Sequence, residues 1–101
     1  MRRQTKFTGI SPAVWRECWE RDGGICRHCG KGGVLQACHF VSRARGGMGI
    51  PTNLVMLCPD CHREMDQGDG KAIKEEMREY LQSLYPLWNE EGQKYTKTTG
   101  R

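Results

Sequence analysis

The chain has 101 residues, 37% hydrophobic and 28% charged, with a formal net charge of +4. That length suits one domain, 1–101, whose core is small enough to need a staple. The longest apolar run, Leu54–Leu57, cannot span a bilayer, and no apolar stretch follows the basic opening MRRQTKF, so neither a membrane segment nor a leader is expected.

The charge is uneven: residues 1–31 carry seven Lys/Arg against three acidic residues. This bias is compatible with a polyanionic partner without establishing one. The six cysteines are expected in a reducing cytosol, as ligands or core residues rather than disulfides.

In chain order, residues 1–10 read as a basic arm. Ser11-Pro12 is an N-cap followed by proline at the first helical position, which predicts a helix over 11–23 ending at Asp22-Gly23-Gly24. Val14, Trp15, Cys18 and Trp19 share one face of it, and the tryptophans are expected in the core or an interface. The zinc-type core spans 26–68. It opens with Cys26-Arg-His-Cys29-Gly, a tight metal knuckle in which His28 is an exposed loop residue. A short strand from Val34 to about Phe40 follows. The loop RGGMGIPTN then leads into a second strand, Leu54–Leu57, pairing back antiparallel. A helix opens near Pro59 and stops near Gly68. Over 70–85 an amphipathic helix carries the stripe Ile73, Met77, Tyr80, Leu81 and Leu84, and Pro86 ends it. That stripe fits a core face or the seam of a homodimer. The tail, 86–101, reads as frayed, with Trp88 and Tyr95 as docking candidates.

Cys26-x2-Cys29 and Cys58-x2-Cys61 are separated by 28 residues. Each pair spans two corners of a tetrahedron, and Zn²⁺ in a structural role takes four such ligands. A redox pair or two unrelated cysteine pairs are the alternatives. A closed four-thiolate site leaves no open coordination position, so this zinc would hold the fold and do no chemistry. Cys18 is most simply a small core residue.

Between the cysteine pairs stand His39 at the end of the first strand and Asn53 before the second. His62 directly follows Cys61. The stretch CHFVSRARGG…TNLVMLCPDCH resembles the zinc-containing HNH endonucleases, the ββα-metal nucleases, over residues 26 to about 66. The flanking helices resemble small HNH proteins of phage and prophage type. The fold this implies is α+β, a small zinc-stapled ββα-metal, treble-clef-like core with a two-stranded antiparallel hairpin and flanking helices.

The resemblance implies that His39 is the general base that takes a proton from water, a task suited to an imidazole near neutral pH. It gives Asn53 the bracing of the loop and the base, although a plain turn asparagine fits the position equally. His62 corresponds to the ligand of a catalytic Mg²⁺ or Mn²⁺ at the scissile phosphate. Asp66, four residues on, stands where some relatives place a second metal-binding histidine; the alternative is a solvated aspartate. Cys38 replaces the usual Asp or His metal ligand before the base. It is either a neutral packing residue or a ligand shifting preference from Mg²⁺ towards Mn²⁺ and softer metals.

Arg43 and Arg45, on a glycine-ended loop just after His39, are expected to contact DNA phosphates; a solvated charge pair is the alternative. Arg2, Arg3, Lys6, Arg16 and Arg21 are candidates to extend that footprint. The functional expectation is a cytoplasmic DNA endonuclease, nicking or cutting both strands. The alternatives are a zinc-stabilised DNA-binding module without hydrolysis and a zinc-stabilised protein adaptor.

Overall fold

The computed structural model describes residues 9–68 and 70–94. These form three α-helices around a two-stranded antiparallel hairpin, an α+β arrangement. The basic arm with Arg2, Arg3 and Lys6, and the tail from Tyr95 onwards, lie outside the described residues.

Helix α1 (Pro12–Arg21) starts as its sequence predicts. Ser11 keeps an extended backbone, and its Oγ accepts the Val14 N–H at 3.1 Å. The helix stops at Asp22, and Gly23 and Gly24 take positive φ to turn the chain. Its inward face differs from the expected one. Cys18 is fully buried, but Trp15 and Trp19 are 38% and 41% exposed, so neither is a core residue. The buried line runs instead through Val14, Cys18 and Asp22, at i, i+4 and i+8, because the last turn sends an ion pair inside.

That pair is Arg21–Asp22. The Asp22 carboxylate, 0% exposed, accepts from Arg21 Nε at 2.7 Å, from the Met56 N–H at 3.0 Å and from the Tyr80 hydroxyl. Arg21 also donates to the carbonyls of Pro51 and Leu54, at 2.8 and 2.7 Å. Arg21 is therefore an internal cross-link and leaves the set of candidate phosphate contacts. Replacing Asp22 with asparagine leaves the half-buried guanidinium without its counter-charge, so a stability loss of about 3–5 kcal/mol is expected. Urea titration measures it; a loss below about 1 kcal/mol would reduce the network to an ordinary hydrogen bond.

Strand β1 (Gln36–His39) pairs antiparallel with β2 (Leu54–Leu57), Gln36 opposite Leu57 and His39 opposite Leu54. β1 begins later than expected, since Val34 is 73% exposed and precedes the pairing. All four β2 residues are buried, because the strand packs against both α1 and the following helix, α2 (Pro59–Gln67). Helix α3 (Lys71–Leu84) turns Ile73, Met77 and Leu81 into the same core and packs on α2. Ile73, Met77 and Leu81 of its apolar stripe are thus used within the chain, while Leu84 is exposed. Among the described residues no helix is long and apolar enough to cross a membrane.

The segment after α3 is docked as far as Lys94, not frayed. The Trp88 ring meets Phe40 edge-on at 5.3 Å, and its Nε1 donates to the Thr52 carbonyl at 2.6 Å. The Met48 N–H donates to the Gln93 carbonyl at 2.9 Å, and Thr52 Oγ1 donates to Gln93 Oε1 at 2.6 Å. This return leg clamps the loop between the strands.

Candidate metal cluster and active-site cleft

The knuckle folds because Gly30, at φ 80°, lets the chain reverse: the Gly30 N–H donates to the Cys26 carbonyl and the Cys26 N–H to the Lys31 carbonyl, both at 2.8 Å. The Arg27 N–H bonds the Met56 carbonyl at 3.0 Å and lays the knuckle against β2. β2 then delivers Cys58 as the N-cap of α2, with Cys61 in the first turn. The Sγ atoms of Cys26, Cys29, Cys58 and Cys61 all lie within 4.8 Å of one another. Cys29 and Cys58 are 3.8 Å apart. Zinc–sulfur bonds of about 2.3 Å place tetrahedral neighbours about 3.8 Å apart, so the spacing fits one zinc-sized ion. Burial opposes ionisation of Cys26, but backbone hydrogen bonds from Cys29, Cys58 and His28 outweigh it and hold the thiol down at about 6. His28 is an exposed knuckle residue as expected, and its Nδ1 meets Glu76 Oε1 at 2.9 Å.

His39 closes β1, half-buried, and the chain leaves it into the loop 40–53. Asn53 organises that loop from the inside. It is 0% exposed; its Oδ1 accepts the Val41 N–H at 2.9 Å, and its Nδ2 donates to the carbonyls of Val41 (3.2 Å) and Met48 (2.8 Å). Its own carbonyl accepts the Phe40 N–H at 2.8 Å, fixing the residue after His39. The loop closes so tightly that a Cβ on Gly47 would stand 1.6 Å from the Val41 carbonyl oxygen. Only glycine fits there. Arg43–Arg45 form one 3₁₀ turn ended by Gly46 at φ 89°.

A cleft of about 260 Å³ opens between the hairpin end and α2, lined by Ala37, His39, Ser42, Arg43, His62 and Asp66. Sequence-distant candidates therefore meet: His39 from β1, the His62–Asp66 pair from α2 and one loop arginine. Arg45 is exposed on the same turn but does not line the cleft. His62 Nε2 lies 2.9 Å from Asp66 Oδ2, one helical turn on. Among the described residues the four cysteines are the one group of three or more metal-type ligands close enough to share an ion, so the cleft itself offers the His62–Asp66 pair.

Cys38 does not reach this cleft. It is 1% exposed, its Sγ lies 3.4 Å from the Gln36 carbonyl oxygen, and burial pushes its thiol far up. Adjacent strand residues point to opposite faces, so with His39 turned to the cleft, Cys38 turns to the core. That alternation was available in the sequence and argues for the packing alternative. Cys18 likewise sits in the core, its thiol pushed up to about 11 by burial.

Two residues around the site escaped the sequence reading. Gln36 Oε1 lies 2.7 Å from His62 Nδ1. Lys74, on α3, hydrogen-bonds the Phe40 carbonyl and stands 4.5 Å over the Phe40 ring, where burial pushes its ammonium pKa down. Neither belongs to a motif, and only the packing of α2 and α3 on the hairpin brings them in.

A family model described as HNH endonuclease matches residues 26–67. The Type IV methyl-directed restriction enzyme EcoKMcrA of Escherichia coli (strain K12) is 33% identical over a 63-residue alignment that covers 54% of this chain and 23% of that protein. The solved structure of the Type IV phosphorothioation-dependent restriction endonuclease ScoMcrA superposes with a TM-score of 0.66 at 20% identity, covering 81% of this chain and 20% of that one. At that identity the likeness is one of fold. The chain spans less than a quarter of the length of either protein. The matched segment holds the four clustered cysteines and His39, Asn53, His62 and Asp66. The likeness to the HNH endonuclease family therefore lies in residues 26–67, the segment that builds both the cysteine cluster and the cleft.

Proposed function

We propose that the chain is a metal-dependent endonuclease that hydrolyses DNA phosphodiester bonds, with a structural zinc on its four cysteines and a separate divalent cation at His62 and Asp66. The observation that carries this reading is the shared cleft: His39, His62, Asp66 and Arg43 line one opening although they come from a strand, a helix and a loop. The two relatives are restriction enzymes by name, which makes DNA the substrate to test.

The His62–Asp66 pair fits a hard divalent ion. Bonds of about 2.1 Å place adjacent ligands of an octahedron about 3.0 Å apart, close to the 2.9 Å between Nε2 and Oδ2. Mg²⁺ or Mn²⁺ needs only one or two protein ligands, with water and phosphate oxygens completing the shell. When bound, such an ion supplies counter-charge to the scissile phosphate and its leaving oxygen.

The protein's own groups do the rest. His39 accepts the proton of the attacking water. Asn53 keeps the backbone on both sides of the loop fixed, so that the base does not drift. Arg43 offers a planar, permanently charged donor set to a phosphate oxygen at the cleft, and Arg45 extends it along the backbone. Cys38, seated in the core, is left out of the ligand set, and with it goes the reason to expect a preference for softer metals.

Supercoiled plasmid incubated with the zinc-loaded protein and a panel of divalent metals tests the reading. Nicked or linear product is expected with Mg²⁺ or Mn²⁺ and none without added metal. If no metal supports cleavage while the plasmid is retarded on a gel, the protein is a DNA-binding module. If DNA affinity shows no dependence on salt either, the adaptor alternative stands.

A further inference from the structure

Gln36 opens β1, 26 residues from His62 in sequence, yet its side chain reaches the imidazole. His62 then faces an oxygen at each ring nitrogen: Gln36 Oε1 at 2.7 Å from Nδ1 and Asp66 Oδ2 at 2.9 Å from Nε2. These two oxygens do different jobs. A histidine binds metal through a bare lone pair, so the binding nitrogen carries no hydrogen, and the neutral ring's hydrogen sits on the other one. With the hydrogen on Nδ1, the Gln36 carbonyl oxygen accepts it and Nε2 is left bare. Bare Nε2 and a carboxylate oxygen at this separation are two facing lone pairs, which repel unless a cation lies between them. Gln36 touches His62 from a neighbouring recess, lined also by Pro59, Arg63 and Gln67, and does not line the cleft that His39 shares. It can thus act on the ring without occupying the place of substrate.

We propose that Gln36 is a positioning residue for the cleft metal site: its side-chain carbonyl fixes the Nδ1–H tautomer and the ring angle of His62, so that Nε2 and the Asp66 carboxylate form one edge of a divalent-cation site. This rests on the metal-dependent reading above. Outer partners of metal-binding histidines commonly govern affinity by roughly 10–100-fold, and the same size of effect is expected here.

The test is Mn²⁺ binding to the zinc-loaded full chain, followed by calorimetry and by the free-Mn²⁺ electron paramagnetic resonance signal. Wild type and Gln36→Leu, Gln36→Glu and His62→Ala variants are compared, with zinc content checked in each. His62→Ala should lose the site. Gln36→Leu, which keeps the bulk and removes the acceptor, should weaken Mn²⁺ by roughly 10–100-fold with zinc content unchanged. Gln36→Glu, which still accepts from Nδ1–H, should bind close to wild type. If Gln36→Leu binds Mn²⁺ as wild type does, or Gln36→Glu fails along with Gln36→Leu, the positioning role is wrong while the metal site stands. If wild type takes up no Mn²⁺ that His62→Ala removes, the metal-site reading itself fails.

Discussion

Replacing His39 with alanine is expected to abolish plasmid cleavage while zinc content and the cooperative thermal transition survive. The reasoning is geometric. His39 is the last residue of β1, and the strand is held there by backbone pairing to Leu54 and by the neighbouring Phe40 N–H on the Asn53 carbonyl. None of that uses the imidazole. The ring is half-buried at the cleft rather than packed in the core, so its removal opens no large cavity. The loss of a general base costs about 10²–10⁴-fold in rate, enough to empty the product lane of an ordinary nicking gel. DNA affinity should change little, because the phosphate contacts proposed for Arg43 and Arg45 do not use this ring. A variant that cuts as fast as wild type would remove His39 from the base role, and one that loses zinc would make it structural.

Stripping zinc, by chelation or by Cys58→Ser, is expected to unfold the whole described core. Cys58 is both a corner of the cluster and the N-cap of α2, so an ion held there would fasten the knuckle, β2 and the helix carrying His62 and Asp66 at one point. Without it, four thiols crowd within 4.8 Å, and burial and its neighbours push the Cys61 thiol far up. Structural zinc contributes on the order of 10–16 kcal/mol in small domains, as large as the entire net stability of a typical fold, about 5–15 kcal/mol. Circular dichroism with zinc quantification should show loss of helix signal in step with loss of metal, recovered when Zn²⁺ is returned. An apoprotein that keeps its melting transition would show that the apolar core suffices alone.

Much of this was readable before any coordinates. The paired Cys-x2-Cys spacing, the Ser11-Pro12 helix start, the apolar run Leu54–Leu57 and the Ile73/Met77/Leu81 stripe all express short-range geometry, and each is found where the spacing put it. The order His39, Asn53, His62 pointed to one family, and the model of that family matches residues 26–67. Other positions were left open or unmarked by the sequence. Trp15 and Trp19 fit a core or an interface by residue type; they are exposed, which removes the core alternative, while the buried Asp22 pairs with Arg21 inside. Trp88 docks as its candidacy in the tail foresaw, whereas Gln93, in a segment without periodicity, was unmarked; they bond the covered loop at Thr52 and Met48.

What the amino-acid order alone determined was the set of elements, the ligand spacing of the cysteine cluster and the likeness to one family over 26–67, because these depend on contacts within a few residues or on fixed offsets. What only the tertiary structure decided was which side chains face each other: Asp22 inward and the tryptophans out, Cys38 to the core, Gln36 on His62, Lys74 on Phe40. These contacts join segments that pack only once the hairpin, α2 and α3 close on one another. Their energies come from burial and from satisfying polar groups in that shared interior, which no local pattern encodes.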